Sequence, residues 1–302
     1  MARRDARIAP VPEHELTRVD TGGATLACLV APGARTDGPL VICAHGFPDC
    51  ARSFRLQVPA LVGAGFRVVC PWLRGYAPST RARDGRYDAA ALGNDLVALA
   101  RHFSPGEPAR LVGHDWGAIA AYAAVALAPG AFSHLATVAV PHLRVAARRF
   151  ATPAQLRRSW YMAMFQLPRL AERRLAAHDF ALVDRLWRDW SPSLRAPADE
   201  LAAVKDALRG REPDVLAYYR ALFSRAAPST GRLLRRRTRV PSLYVHGLDD
   251  GCIGVGLADG VERAYAGPIA VHRLRGGHFV HQEAVEQFNP ILVEFLRTAP
   301  SV

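Results

Sequence analysis

The chain is almost without lysine: of its 39 basic residues only Lys205 is one, and the rest are arginines. Cysteine and methionine are scarce as well, at five and three in 302 residues. The thiols, at positions 28, 43, 50, 70 and 252, include no Cys-x-x-Cys pair, so neither a zinc knuckle nor a dithiol redox motif is indicated. An odd, scattered set suits a reducing cytoplasm, and Cys28, Cys43 and Cys70 fall in strand-like runs as small core residues. Long apolar runs are also missing. The longest, residues 118–128, is far short of the ~20 residues a transmembrane helix needs. The basic residues 1–7 are not followed by the apolar segment of a secretory signal. The expectation is a cytoplasmic protein with no membrane partner and no metal.

Half of the sequence is hydrophobic and 22% is charged, the balance of a soluble globular protein. A formal charge of +12 raises nucleic-acid binding. The arginines are spread along the chain, however, and the densest run is only Arg235-Arg236-Arg237. Together with abundant Ala, Gly and Pro, this reads as a GC-rich coding bias and a solvated basic surface, so no nucleic-acid partner is expected.

Strand and helix signals alternate over the first 140 residues. Strands are predicted at 16–20, 24–30, 40–44, 66–70, 109–112 and 135–140, with helices at 53–64, 87–103 and 118–128. Such an order argues for an α/β fold with a mostly parallel sheet and helices on both faces. After Pro141 the pattern changes: residues 142–238 carry helical segments at 153–167, 168–178, 181–190, 198–208 and 213–224 and no convincing strand. Strands return at 242–246 and 269–274, and a helix at 284–297 follows. Residues 1–141 and 239–302 therefore form one core domain, interrupted by a helical insertion at 142–238.

The most telling segment is Gly113-His114-Asp115-Trp116-Gly117, between a predicted strand and a predicted helix. A strand, a glycine-flanked turn and a helix make a nucleophile elbow, whose centre is usually serine. Here it is Asp115, ionised at neutral pH without help from a base. A carboxylate can attack saturated carbon and form an alkyl ester; attack on an ordinary ester would give an anhydride, a poor intermediate. The elbow thus points away from esterases and toward displacement at an epoxide or carbon–halogen centre.

Partners for such a nucleophile follow in the order acid, then histidine. Asp249 and Asp250 lie just past the strand at 242–246, and His278 follows the last strand. Asp250 is preferred because Gly-x-x-Asp is the usual spacing after that strand. His278 would activate water against the ester while Asp250 holds its tautomer. His281 is assigned to the first turn of the last helix, and His246 to strand-end packing. Upstream, His45-Gly46-Phe47-Pro48 follows the strand at 40–44 and offers the Phe47 N–H as an oxyanion donor beside that of Trp116.

These segments together resemble the α/β-hydrolases of the soluble, bacterial-type epoxide hydrolase family, over nearly the whole chain. The resemblance implies an eight-stranded α/β-hydrolase core with a helical cap, a cis peptide before Pro48, a small-molecule epoxide as partner and no cofactor; a homodimer is left open. Haloalkane dehalogenases share Asp-Trp at the elbow, so the leaving group must discriminate. An opening epoxide releases a basic alkoxide that needs a proton donor, whereas a halide does not. Tyr161, in Tyr-x-x-x-Phe-Gln, and Tyr219, in Tyr-Arg, match the cap tyrosines of epoxide hydrolases; Tyr218 is the alternative to Tyr219. Arg169 stands where the family commonly has glycine. Phe47, Pro48, Trp116, Phe165 and Phe279 are expected to line the substrate pocket. Conversion of an epoxide to a vicinal diol is the implied reaction, with haloalkane dehalogenation and non-catalytic ligand binding as the alternatives.

Overall fold

Eight strands build one sheet in the order β1-β2-β4-β3-β5-β6-β7-β8. They belong to a computed structural model that describes residues 15–32, 38–225 and 227–299; the basic residues 1–7 lie outside these. The strands are β1 (Glu15–Asp20), β2 (Thr25–Val30), β3 (Leu40–Ala44), β4 (Arg67–Pro71), β5 (Ala109–His114), β6 (Phe132–Val138), β7 (Ser242–Gly247) and β8 (Ile269–Leu274). The pairs β1–β2 and β2–β4 are antiparallel and every other pair is parallel. The expected mostly parallel α/β sheet is therefore present.

Central strands are covered on both sides, and the alternation of side chains shows how. Leu40, Ile42 and Ala44 of β3 join one apolar cluster, whereas Val41 and Cys43 join another, because successive strand residues point to opposite faces. Helices α2 (Ala89–Phe103) and α3 (Trp116–Leu127) supply the first cluster, with Leu92, Leu96 and Ala120. Helices α1 (Val58–Gly63) and α12 (Val285–Arg297) supply the second, with Leu61, Phe288 and Leu292. Cys28, Cys43 and Cys70 are buried core residues.

Some boundaries differ from the sequence expectation, each for a local reason. The helix read at 53–64 is a 3₁₀ turn (Ala51–Phe54) followed by α1. Pro59 has no N–H to give a helix interior, so the helix starts immediately before it. β6 ends at Val138, not at 140, because Ala139 turns to φ 68°.

Between β6 and β7 the described chain is helical: α4 (Leu143–Ala146), α5 (Pro153–Arg158), α6 (Trp160–Met164), α7 (Leu170–Trp190), α8 (Ala198–Leu208), α9 (Glu212–Ala221) and α10 (Ala227–Leu233). The single helix read at 153–167 is two, parted at Ser159. α7 loses helical dihedrals over Ala177, His178, Asp179 and Phe180, which separates the pieces read at 168–178 and 181–190. Phe165, Leu186, Trp190 and Val215 of this segment share one cluster with Phe47, Trp116 and Leu92 of the sheet domain. One continuous core thus joins the insertion to one face of the sheet. The remaining short helix, α11 (Val280–Glu283), precedes α12. No helix of the described residues is long and apolar enough to cross a membrane.

Candidate active site

The turn after β5 throws Asp115 out of line. Its φ of 51° and ψ of −118° are rarely adopted by a residue with a Cβ. Close backbone approach explains the glycines around it. A Cβ on Gly117 would lie 2.0 Å from the Ala44 carbonyl oxygen, and one on Gly46 would lie 2.3 Å from the Cβ of Asp115. The β3 loop is thereby pressed onto the turn, and the Phe47 N–H donates to Asp115 Oδ1 at 2.8 Å. Trp116 opens α3, where the first N–H groups have no partner within the helix. The peptide before Pro48 is cis.

Two further loops bring the remaining polar groups. His278 Nδ1 is 2.9 Å from Asp250 Oδ2, and its Nε2 is 3.5 Å from Asp115 Oδ2. The N–H groups of Cys252 and Ile253 each donate to Asp250 Oδ1 at 2.7 Å, so that carboxylate is held at both oxygens. Asp249 is exposed and Asp250 buried, which places Asp250 in the arrangement. His281 sits on α11, not on the last helix, and meets Ser53 Oγ at 3.0 Å. His246 is packed at the end of β7, against Tyr244 and the Ile253 carbonyl.

Electrostatics follow from this burial. Burial by itself would depress the His278 imidazole; Asp250 and Asp115 outweigh it and push it up to about 10. Asp115 would be raised by burial, yet His278, His114 and the Phe47 N–H hold it below the ordinary carboxylate range. His114 is pushed down to about 3, chiefly by burial, and its Nε2 meets the His278 carbonyl at 3.0 Å. Among the described residues one set of three potential metal-ligating side chains converges, namely Asp49, His114 and His281. Within it the Asp49 carboxyl is already engaged by the Cys50 N–H and Gln282, and His281 by Ser53.

A cavity of about 290 Å³ opens at Asp115, and Tyr161 of α6 and Tyr219 of α9 line it with Trp116. The tyrosine rings are 5.7 Å apart in an edge-to-face contact. Tyr219 keeps a buried hydroxyl without a hydrogen-bond partner among the described residues. Tyr218 is committed elsewhere, donating to the Arg74 carbonyl at 2.5 Å. Tyr161 has a partner the sequence did not suggest: the Cys252 Sγ lies 3.3 Å from its hydroxyl. Burial holds both thiol and phenols protonated, well above their ordinary values.

Of the five residues expected to line the pocket, Trp116 borders this cavity, and Phe47, Pro48, Phe165 and Phe279 stand outside its lining. Packing uses them up. Phe47 and Phe165 meet edge-to-face at 5.5 Å, Phe279 stacks on Trp187 at 4.2 Å, and the Pro48 carbonyl accepts from Trp187 Nε1 at 2.6 Å. In their place the lining is Ile119, Val140, Leu143 and Phe150, with Leu222 and Phe223 at its exposed edge.

Trp190, at the end of α7, was also missed. Its carbonyl accepts from both the Gly251 N–H (3.1 Å) and the His278 N–H (2.9 Å), so the insertion grips both downstream loops. A sequence signal did exist in the glycines. A Cβ on Gly251 would lie 2.1 Å from the Asp189 carbonyl oxygen, and one on Gly277 would lie 2.5 Å from the Cα of Ser191.

Comparison with known proteins agrees with this geometry. Residues 39–281 match the family described as alpha/beta hydrolase fold. The sequence is 32% identical to Epoxide hydrolase A of Mycobacterium tuberculosis, covering 92% of this chain and 96% of that one. It is 30% identical to the AB hydrolase superfamily protein YfhM of Bacillus subtilis, with the same coverage of both. The crystal structure of Epoxide Hydrolase A from Mycobacterium thermoresistibile matches with a TM-score of 0.81 at 27% identity, over 94% of this chain and 98% of the other.

Proposed function

Because this chain belongs to the α/β-hydrolase fold family, in its epoxide hydrolase branch, we propose that it opens an epoxide with water to give a vicinal diol, through an alkyl ester on Asp115. One observation carries the reading: a carboxylate nucleophile and two buried phenols line the same apolar cavity. A halide would need no such acids, so the pair favours an epoxide over a haloalkane. In this scheme residues 142–238 act as the cap.

Asp115 Oδ1 stays on the Phe47 N–H while Oδ2 attacks a ring carbon. The ring C–O bond breaks, its electron pair goes to oxygen, and Tyr161 or Tyr219 donates a proton to that oxygen. Phenols suit the task because an ordinary tyrosine stays protonated at neutral pH. The ester carries no charge, so His278 loses one of the two carboxylates that held its proton and can pass that proton to the tyrosinate. As a neutral imidazole it then takes a proton from water, and the hydroxide adds to the ester carbonyl. The Phe47 and Trp116 N–H groups face the resulting oxyanion; losing one such donor typically costs about 10²–10³ in rate. Collapse expels the diol alkoxide, which takes the proton of the new carboxyl and regenerates Asp115. His278→Gln leaves the first step and removes the second. After addition of styrene oxide, intact-mass spectrometry should show a persistent adduct on a peptide containing Asp115. An unmodified protein would overturn the two-step scheme.

A further inference from the structure

The cavity at Asp115 has an exposed edge. From Trp116 and Ile119 it runs past Leu143 and Phe150 to an exposed edge at Leu222 and Phe223. On the other side of Asp115 stands a wall of buried aromatic rings. Phe165 meets Tyr219 at 5.0 Å, Phe47 meets Tyr219 at 5.5 Å, Tyr161 meets Trp190 at 4.9 Å, and Trp190 meets His278 at 5.2 Å. Phe47, Phe165 and Trp190 are all buried, and none of them lines the cavity. Asp115 and both phenols therefore stand between this cavity and the aromatic cluster.

The lining chemistry narrows the choice further. Although the chain has 39 basic residues, no arginine or lysine among the described residues lines the cavity, and Asp115 is the one carboxylate among them that does. An anionic group would enter without a counter-charge and would face the nucleophile, an arrangement that costs heavily when water is excluded.

We infer that the substrate is an uncharged terminal epoxide with one apolar substituent. An epoxide with bulky groups on both ring carbons in trans is excluded, because its second group would need the space the aromatic wall fills. The inference rests on the reaction proposed above and specifies its substrate.

The test is a panel of styrene oxide, 1,2-epoxyoctane, trans-stilbene oxide and glycidate, read as kcat/KM for diol formation by the wild-type protein. Each compound is also given to His278→Gln and scored for the Asp115 adduct. Both apolar terminal epoxides should exceed trans-stilbene oxide and glycidate by about tenfold or more. A smaller margin over either compound overturns the inference while leaving epoxide hydrolysis standing. Absence of an adduct and of diol from every compound overturns the proposed reaction itself, and the inference with it. Ala146→Phe, which narrows the chamber, should lower the ratio of 1,2-epoxyoctane to propylene oxide turnover by about tenfold; an unchanged ratio again refutes the chamber assignment.

Discussion

Neutralising Asp115 should bring the titration of His278 down to near neutrality. The imidazole is buried, with Nε2 3.5 Å from Asp115 Oδ2 and Nδ1 2.9 Å from Asp250 Oδ2. At an effective dielectric constant of about 20, two unit charges at that 3.5 Å separation interact by about 5 kcal/mol. With about 1.4 kcal/mol to each pH unit, this corresponds to ~3.5 pH units. His278 starts from about 10, so His278 in Asp115→Asn should titrate at ~6.5, close to the neutral range where a general base works best. The asparagine retains an oxygen for the Phe47 N–H and imitates the charge state of the ester intermediate. The assay is an NMR pH titration of the imidazole carbon-bound protons in wild type and variant, with His278→Gln identifying the signal. A midpoint within one pH unit of the wild-type value would refute the reasoning: Asp250 alone would then hold the proton, and alkylation could not release the base.

Other outcomes follow from the same structure. Replacing Tyr161 and Tyr219 together by Phe should lower epoxide turnover by at least about 10² and leave Tm nearly unchanged, since among the described residues the Tyr219 hydroxyl has no hydrogen-bond partner and the Tyr161 hydroxyl meets a thiol; full turnover would remove the phenols from the reaction. Arg169 occupies φ 66° with an exposed side chain, so Arg169→Gly should stabilise the fold by ~1 kcal/mol. That corresponds to a Tm higher by roughly 2 °C, and a lower Tm in differential scanning calorimetry would contradict it. The imidazole also couples stability to pH. Its folded pKa is raised, so the native state holds a proton that the unfolded chain gives up above about 6.5. In urea unfolding, the stability of wild type relative to His278→Gln should be fully present below about pH 6.5 and decline as pH rises toward 10. A difference that does not vary with pH would rule the raised value out.

Much of this was legible because some chemistry cannot be disguised. Gly117 and Gly46 must be glycine where the Ala44 carbonyl and the Asp115 side chain approach, so the elbow announces itself by spacing. The buried strand β3 reads as an unbroken apolar run because both of its faces are covered. Arg169 could be marked as a departure, but only the backbone shows why glycine is favoured there: a positive φ just before α7. The apolar character of the pocket was legible, and its wall depends on packing. Phe47, Phe165 and Phe279 are apolar and near the elbow, yet ring-to-ring contacts far apart in sequence decide that they form a wall, not a lining. Trp190 escaped notice because its contribution is a carbonyl oxygen, a group every residue has.

That carbonyl ties the proposed triad to the helical segment between β6 and β7. Gly251, next to Asp250, and His278 both hang their N–H groups on a single peptide at the end of α7. Under the proposed mechanism, Asp115 would then be present before His278 is held in register. A partly assembled chain would become alkylated and stay so, spending itself on one epoxide. Grafting a different insertion to change the substrate would succeed only if residues 189–191 travelled with the sheet domain and not with the graft.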